Sequence, residues 1–176
     1  MPTHVAFLRG INVGGHTVTN DRLAEVVADL GFGDVSTFQA SGNVLFSGEG
    51  SDEALADRIG TGLAGALGWP APAFVRGADE VRAIADADPF PDAPDGARVQ
   101  VAFLRAPLSA EDEATVRGHA LATDEMHVDG TQLWWLLGTG RTMDSGIGDP
   151  GLARFLGDRW TVRTHATVQR IARRLG

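Results

Sequence analysis

Val5-Ala6-Phe7-Leu8-Arg9 recurs without change as Val101-Ala102-Phe103-Leu104-Arg105. The residues after each copy decide whether the match is a repeat. After the first copy comes a loop and then 20–30, where Leu23, Val26, Val27 and Leu30 fall at the i, i+3, i+4, i+7 spacing of one helix face. Thr19 or Asn20 can cap that helix, and Gly31 stands where a left-handed terminating residue belongs. Two short strands, 35–40 and 43–47, flank the turn residues Ser41-Gly42. A second helix, 52–67, has Ser51 as its N-cap and carries Leu55, Ile59, Leu63 and Leu67 four apart. A closing strand, 73–76, completes the order β-α-β-β-α-β.

The same order comes after the second copy. Ser109 and Asp112 form a variant capping box for a helix over 110–121, and strands 125–129 and 132–137 turn about Gly130. Asp149-Pro150 supplies an N-cap with proline at N1 for a short helix ending at Leu156, before Gly157. The closing strand is 160–163, and an additional helix, 165–175, places Val168, Ile171, Ala172 and Leu175 on one face. The expected fold is α+β, a tandem duplication of two ferredoxin-like βαββαβ subdomains with a C-terminal helix. The boundaries are 1–76 for the first subdomain, 77–96 for a connecting helix and turn-rich linker, and 97–176 for the second with its helix. Halves this small bury a modest share of their surface, so they are expected to pack on each other. Gly60, Gly62 and Gly65 inside the second helix each cost roughly 1 kcal/mol against alanine, and close packing is the expected reason for them.

Two longer stretches carry a resemblance. Val5-Ala6-Phe7-Leu8-Arg9-Gly10-Ile11-Asn12-Val13-Gly14-Gly15 and Gln39-Ala40-Ser41-Gly42-Asn43-Val44-Leu45-Phe46 resemble the signature of the family called domain of unknown function 1697. Leu30-Gly31-Phe32 and Asp88-Pro89-Phe90-Pro91 fit the same pattern, so the resemblance runs over nearly the whole chain. It implies two ferredoxin-like subdomains and brings no assigned activity. The family usually has a basic residue after Gly-Gly, where His16-Thr17-Val18 stands here. It usually has Ser-Lys-Leu near the second half's last helix, where Asp149-Pro150-Gly151-Leu152 stands, and Arg-Asn-Trp-Asn-Thr near the end, where Arg163-Thr164-His165-Ala166-Thr167 keeps only the Arg and the final Thr.

Composition removes several chemistries. The 176 residues include no Cys, Tyr or Lys, so disulfides, thiolate nucleophiles, lysine Schiff bases and Walker-type phosphate loops are excluded. No stretch is long and apolar enough to span a membrane, and Met1-Pro2-Thr3-His4 does not read as a secretory start, so a cytoplasmic protein is expected. The five histidines lack metal-ligand spacing, and Asp144-Ser145-Gly146 lacks a nucleophile elbow. No cofactor is indicated.

Topology brings the separated motifs together. In a βαββαβ unit the first and third strands are adjacent and antiparallel. The loop after the first strand then lies beside the hairpin between the second and third. Arg9, Gly10, Asn12, Gly14, Gly15, His16, Ser41, Gly42 and Asn43 are therefore expected along one sheet edge, with the turn Gly68-Trp69-Pro70 reaching it. Glycines permit positive φ and close approach of backbone to a ligand, and a helix start behind the loop offers free N–H groups to an anion. The second copy has Ala106-Pro107-Leu108 where the first has Gly-Ile-Asn-Val-Gly-Gly, so the glycines are not demanded by the repeat. A small anionic or nucleotide-like ligand at this edge is the leading expectation. The plain alternative is that the glycines only form a tight turn, with Asn12 and Asn43 bonding loop backbone.

Charge supplies a rival. The formal charge is −8, yet from Pro150 onward six arginines face a single acid, Asp158. Arg163, Arg170, Arg173 and Arg174 are the candidate nucleic-acid contacts, with one of Trp134 and Trp135 as a stacking platform. The ordinary account is that arginines near a helix C-terminus complement its dipole. An enzyme of unassigned mechanism is the third reading, since no acid–base pair is evident.

Overall fold

The structure is a computed structural model describing residues 1–138 and 141–176. It divides into two compact units, Met1–Ala85 with Gln169–Gly176, and Asp86–Val168.

The first unit runs β1 (His4–Leu8), α1 (Asn20–Asp29), β2 (Gly33–Thr37), β3 (Asn43–Ser47), α2 (Asp52–Leu67), β4 (Ala73–Gly77) and α3 (Ala78–Asp86). Its sheet has the order β2-β3-β1-β4, and every pairing is antiparallel. Side chains alternate across a strand. Ala6 and Leu8 of β1 accordingly join Val44, Phe46, Ala73 and Val75 in a core with Leu23, Val26 and Val27 of α1 and Leu55, Ile59 and Leu63 of α2. Val5 and Phe7, on the other face of β1, are fully buried as well. The caps are those the residue types demand: Thr19 Oγ1 accepts from Arg22 N at 3.2 Å and Ser51 Oγ from Ala54 N at 3.3 Å. Gly68 closes α2 at φ +83.

The second unit runs β5 (Arg98–Leu104), α4 (Ala110–Gly118), β6 (Glu125–Asp129), β7 (Gln132–Leu137), α5 (Pro150–Leu156), β8 (Trp160–Thr164) and the start of α6 (His165–Ala172). Its antiparallel sheet has the order β6-β7-β5-β8. Ala102, Leu104, Leu133, Trp135 and Leu137 form its core with Val116, Leu152 and Leu156. Ser109 Oγ caps α4 through Asp112 N at 3.0 Å, and Asp149 Oδ1 caps α5 through Gly151 N at 2.6 Å. The two Val-Ala-Phe-Leu segments, in β1 and β5, thus hold the same place in two sheets of the same order.

Several elements end earlier than the hydrophobic spacing suggests. The strand expected over 35–40 is Gly33–Thr37, because its register shifts between Gly33 and Ser36 and Gln39 turns to φ +59. The helix expected to reach 121 stops at Gly118, beyond which Asp124 Oδ2 accepts Leu121 N at 3.1 Å. Gln169–Gly176, expected with the second half, group with the first unit. Of the three glycines inside α2, only Gly62 is tightly enclosed. A Cβ there would lie 2.5 Å from Leu30, at Gly60 it would make ordinary contacts, and at Gly65 it would meet nothing within 4 Å.

Candidate functional site

The loop after β1 is held at both ends and free at its tip. Leu8 N bonds Gly42 O at 2.7 Å and Arg9 N bonds Pro72 O at 2.9 Å, which brings the 8–10 segment between the β2–β3 hairpin and the turn before β4. Ile11 and Val18 are buried anchors. Asn12 does the stapling. Its Nδ2 donates to Ala40 O at 2.7 Å and its Oδ1 accepts Val18 N at 3.0 Å. Asn12 has φ +55, a left-handed conformation that asparagine tolerates better than most residues.

Beyond Asn12 the chain makes a two-residue turn. His16 N bonds Val13 O at 3.0 Å, with Gly14 at φ +59 and Gly15 at φ +86 between them. Positive φ at both central residues is what a tight hairpin turn of this kind requires, so both glycines have a conformational role here. Of the N–H groups from Gly14 to Thr17, only that of His16 is bonded within the protein among the described residues. Gly14, Gly15 and Thr17 are exposed.

The hairpin opposite is built more rigidly. Gly42 has φ +73, and a Cβ there would sit 3.0 Å from Ile11 and 3.1 Å from Leu8, so conformation and space both require glycine. Asn43 is fully buried and donates to Phe38 O and Ser41 Oγ, each at 2.9 Å. Gly10–Gly15 and Ser41–Asn43 therefore do lie side by side. Asn12 and Asn43 serve the backbone of the two loops, and Arg9 is partly buried. The His16 ring packs 4.7 Å from Trp69, whose buried indole N–H has no protein partner.

The C-terminal arginines divide. Arg170, Arg173 and Arg174 are exposed. Arg163 is not available to a surface ligand: it is 8% exposed and donates Nη1 to Val162 O at 2.8 Å and Thr161 Oγ1 at 3.0 Å. Alternation in β8 turns Arg163 away from the solvent side, and burial pushes its guanidinium down to about 10. That removes one member of the expected nucleic-acid set. Trp134 and Trp135 are both buried, so neither offers a stacking face. Arg170 and Arg174 stand over the Phe38 ring, at 5.8 and 5.2 Å from its centroid. With its amide oxygen turned toward α6, Gln39 accepts from both Nη atoms of Arg170 at 3.0 and 3.2 Å.

Sequence reasoning misses this junction. It puts Phe38 and Gln39 in mid-strand, where they would not form a platform. It also misses Asp124, whose carboxylate accepts Leu121 N, Gly138 N and Gly146 N at 3.1, 3.1 and 2.9 Å. Burial acts to raise the pKa of Asp124, but the three N–H donors outweigh it and hold the group below its ordinary value. His119 and Asp149 form a 2.8 Å pair at the start of α5, which lowers the Asp149 pKa. Among the described residues no group of three His, Asp or Glu is placed to hold a metal ion, and no helix is long and apolar enough to cross a membrane.

Among the described residues, two antiparallel four-stranded sheets of matching order, with six α-helices, define an α+β protein built of two similar units. The chain belongs to the family described as "Protein of unknown function (DUF1697)", whose sequence profile matches residues 1–134. The fold is shared with the conserved bacterial protein SP0830 from Streptococcus pneumoniae, at a TM-score of 0.81 and 21% identity over 99% of this chain and 98% of that one. No curated protein matches the chain.

Proposed function

We propose that the protein binds a small anionic, nucleotide-like ligand at the edge formed by the 10–17 loop and the 38–43 hairpin. The observation that carries the reading is the set of exposed N–H groups at Gly14, Gly15 and Thr17, which no acceptor takes among the described residues, on a loop whose base Asn12 fixes. Consecutive backbone N–H groups in left-handed turn conformations form an anion-accepting concavity. The absence of such a loop after β5 supports a role added to one unit only. We further propose that both units are ferredoxin-like and descend from one duplicated segment, spanning about 1–76 and 97–164. Nucleic acid is the less favoured occupant, since Arg163 and both tandem tryptophans are buried. No reaction is assigned.

Thermal-shift screening of nucleotides and phosphosugars at two salt concentrations tests the reading. A bound ligand stabilises the folded state saturably. Stabilisation by at least one phosphorylated compound supports it when it is lost in Gly14→Val, whose branched side chain strains the φ +59 turn that presents the N–H groups, and kept in Gly14→Asn, which tolerates that φ. No stabilisation by any of them, or none lost in Gly14→Val, removes it.

A further inference from the structure

We infer that Thr3, His4 and Asp52 form a separate site in the first unit, which hydrolyses small uncharged carboxylic esters with Thr3 as the nucleophile. The inference is independent of the ligand proposed for the glycine loop.

Thr3 Oγ1 lies 2.8 Å from His4 Nδ1. The other ring nitrogen, Nε2, faces Asp52 Oδ1 at 3.7 Å, an ion-pair distance. A carboxylate on the Nε2 side favours the tautomer with its proton there, so Nδ1 accepts the threonine O–H. Hydroxyl, imidazole and carboxylate in that order activate an alcohol side chain as a nucleophile. The His4 ring is also held on its face, stacked on Phe46 with centroids 5.5 Å apart. The Thr3 backbone is fixed on both sides: its N–H bonds Phe46 O at 2.9 Å and its carbonyl accepts Ala78 N at 2.8 Å. The repeated strand does not demand the pair. Val99 and Gln100 precede the second Val-Ala-Phe-Leu, and Gln100 Nε2 donates to Thr142 Oγ1 at 2.9 Å.

Thr3 is exposed and lines a cavity of about 470 Å³ together with Gly77, Ala78, Asp79, Glu80 and Arg82. That volume suits a small molecule. The charges on its wall are matched: Asp79 Oδ1 pairs with Arg82 Nη1 at 2.7 Å and Glu80 Oε1 with Arg76 Nε at 3.2 Å. Arg82 Nη2 is taken by Leu175 O and Gly176 O at 2.8 and 3.0 Å. Paired charges favour an uncharged substrate over an ionic one. The bond from Ala78 N sets the start of α3 against Thr3, and the next N–H, that of Asp79, has no acceptor among the described residues. This N–H is assigned to the oxygen of the tetrahedral intermediate.

In the first step Thr3 Oγ adds to the ester carbonyl carbon and its proton passes to His4 Nδ1. The bond from that carbon to the alcohol oxygen breaks, and the alcohol leaves with the proton. Water then adds to the acyl-threonine carbon and gives a proton to His4. The bond to Thr3 Oγ breaks, the carboxylic acid leaves, and the proton returns to Thr3. Asp52 is a positioning residue that acts through His4.

Hydrolysis of p-nitrophenyl butyrate by the full chain tests this, with Thr3→Val, Thr3→Ser, His4→Gln and Asp52→Asn beside wild type. Saturable release by wild type is expected to fall about 100-fold or more in Thr3→Val and His4→Gln and to be kept in Thr3→Ser. Thr3→Val preserves the shape of an exposed side chain, so its loss reports the hydroxyl. Asp52→Asn is expected to lower kcat about tenfold or more at unchanged KM. Peptide mass analysis of acid-quenched wild type is expected to place the butyryl group on Thr3. Release no faster than in buffer overturns the proposal, as does release that Thr3→Val leaves unchanged, or a loss in Thr3→Ser equal to that in Thr3→Val. A butyryl group on another residue in place of Thr3 overturns the nucleophile, and an unchanged kcat in Asp52→Asn overturns the role of Asp52.

Discussion

Arg76 and Arg163 stand at the same place in the two sheets. Arg76 faces Val5 across β1 and β4, and Arg163 faces Val101 across β5 and β8. Each donates Nη1 to the carbonyl of the valine before it, Val75 or Val162, at 2.8 Å. Each is buried, and each strand leads directly into a helix, α3 or α6. The correspondence therefore extends past the βαββαβ core to a seventh element, and it supports the proposed duplication more strongly than the five-residue match alone.

A buried guanidinium is expensive to desolvate, and that cost offsets part of what its hydrogen bonds to Val162 O and Thr161 Oγ1 contribute. Arg163→Met keeps most of the volume and is expected to lose about 1 kcal/mol. Arg163→Ala leaves a cavity and loses about 2–3 kcal/mol. Urea denaturation of the two variants measures the difference, and equal losses in both would show that the charge itself matters.

The interior of α2 offers a gain. Gly65 has ordinary helical φ, and a Cβ there meets nothing. Gly65→Ala is expected to stabilise by about 0.5–1 kcal/mol, raising the melting temperature by roughly 1–4 °C in a chain this size. Gly62→Ala drives a methyl into Leu30 and is expected to forfeit that gain.

Asp124 organises the second unit around buried Gly146. Asp124→Ala strands the Gly146 N–H and costs about 1–3 kcal/mol. The pH dependence is set by the sign of the shift. A carboxylate held below its ordinary value contributes stability above its unfolded pKa and loses it as pH falls through the lowered folded one. Denaturation measured from about pH 6 down to about pH 2 spans that window. It is expected to show a smaller acid-induced loss in Asp124→Ala than in wild type.

Much of the fold is legible in the sequence, and the reason lies in local chemistry. Ser51, Asp52 and Gly68 bound α2 at both ends, so its extent comes from caps and spacing alone. Glu125–Asp129 and Gln132–Leu137 are equally clear from their turn. The 35–40 segment misleads because Phe38 looks like a strand residue while the positive φ of Gln39 is set by neighbours distant in sequence. The same holds for the site. Adjacency of the glycine loop and the hairpin comes from topology, but the meeting of Arg170 and Arg174 with Phe38 depends on where the last helix docks, which no local pattern encodes. The Arg163 role fails because a strand's alternation decides the burial of an arginine that composition counts as surface charge.

Asn12 is the hinge between fold and site. Asn12→Ala deletes two hydrogen bonds and places alanine at φ +55, for an expected loss of about 1–3 kcal/mol. Asn12→Asp keeps the acceptor for Val18 N but not the donor to Ala40 O, and should fall between. Thermal melts of the two variants order the effects.

The most direct test of the anionic reading observes the N–H groups themselves. In a ¹H–¹⁵N correlation spectrum of the full chain titrated with inorganic pyrophosphate, the amide signals of Gly14, Gly15 and Thr17 are expected to move saturably. Signals that stay in place at every concentration, or that shift evenly over the whole surface without saturating, would contradict it.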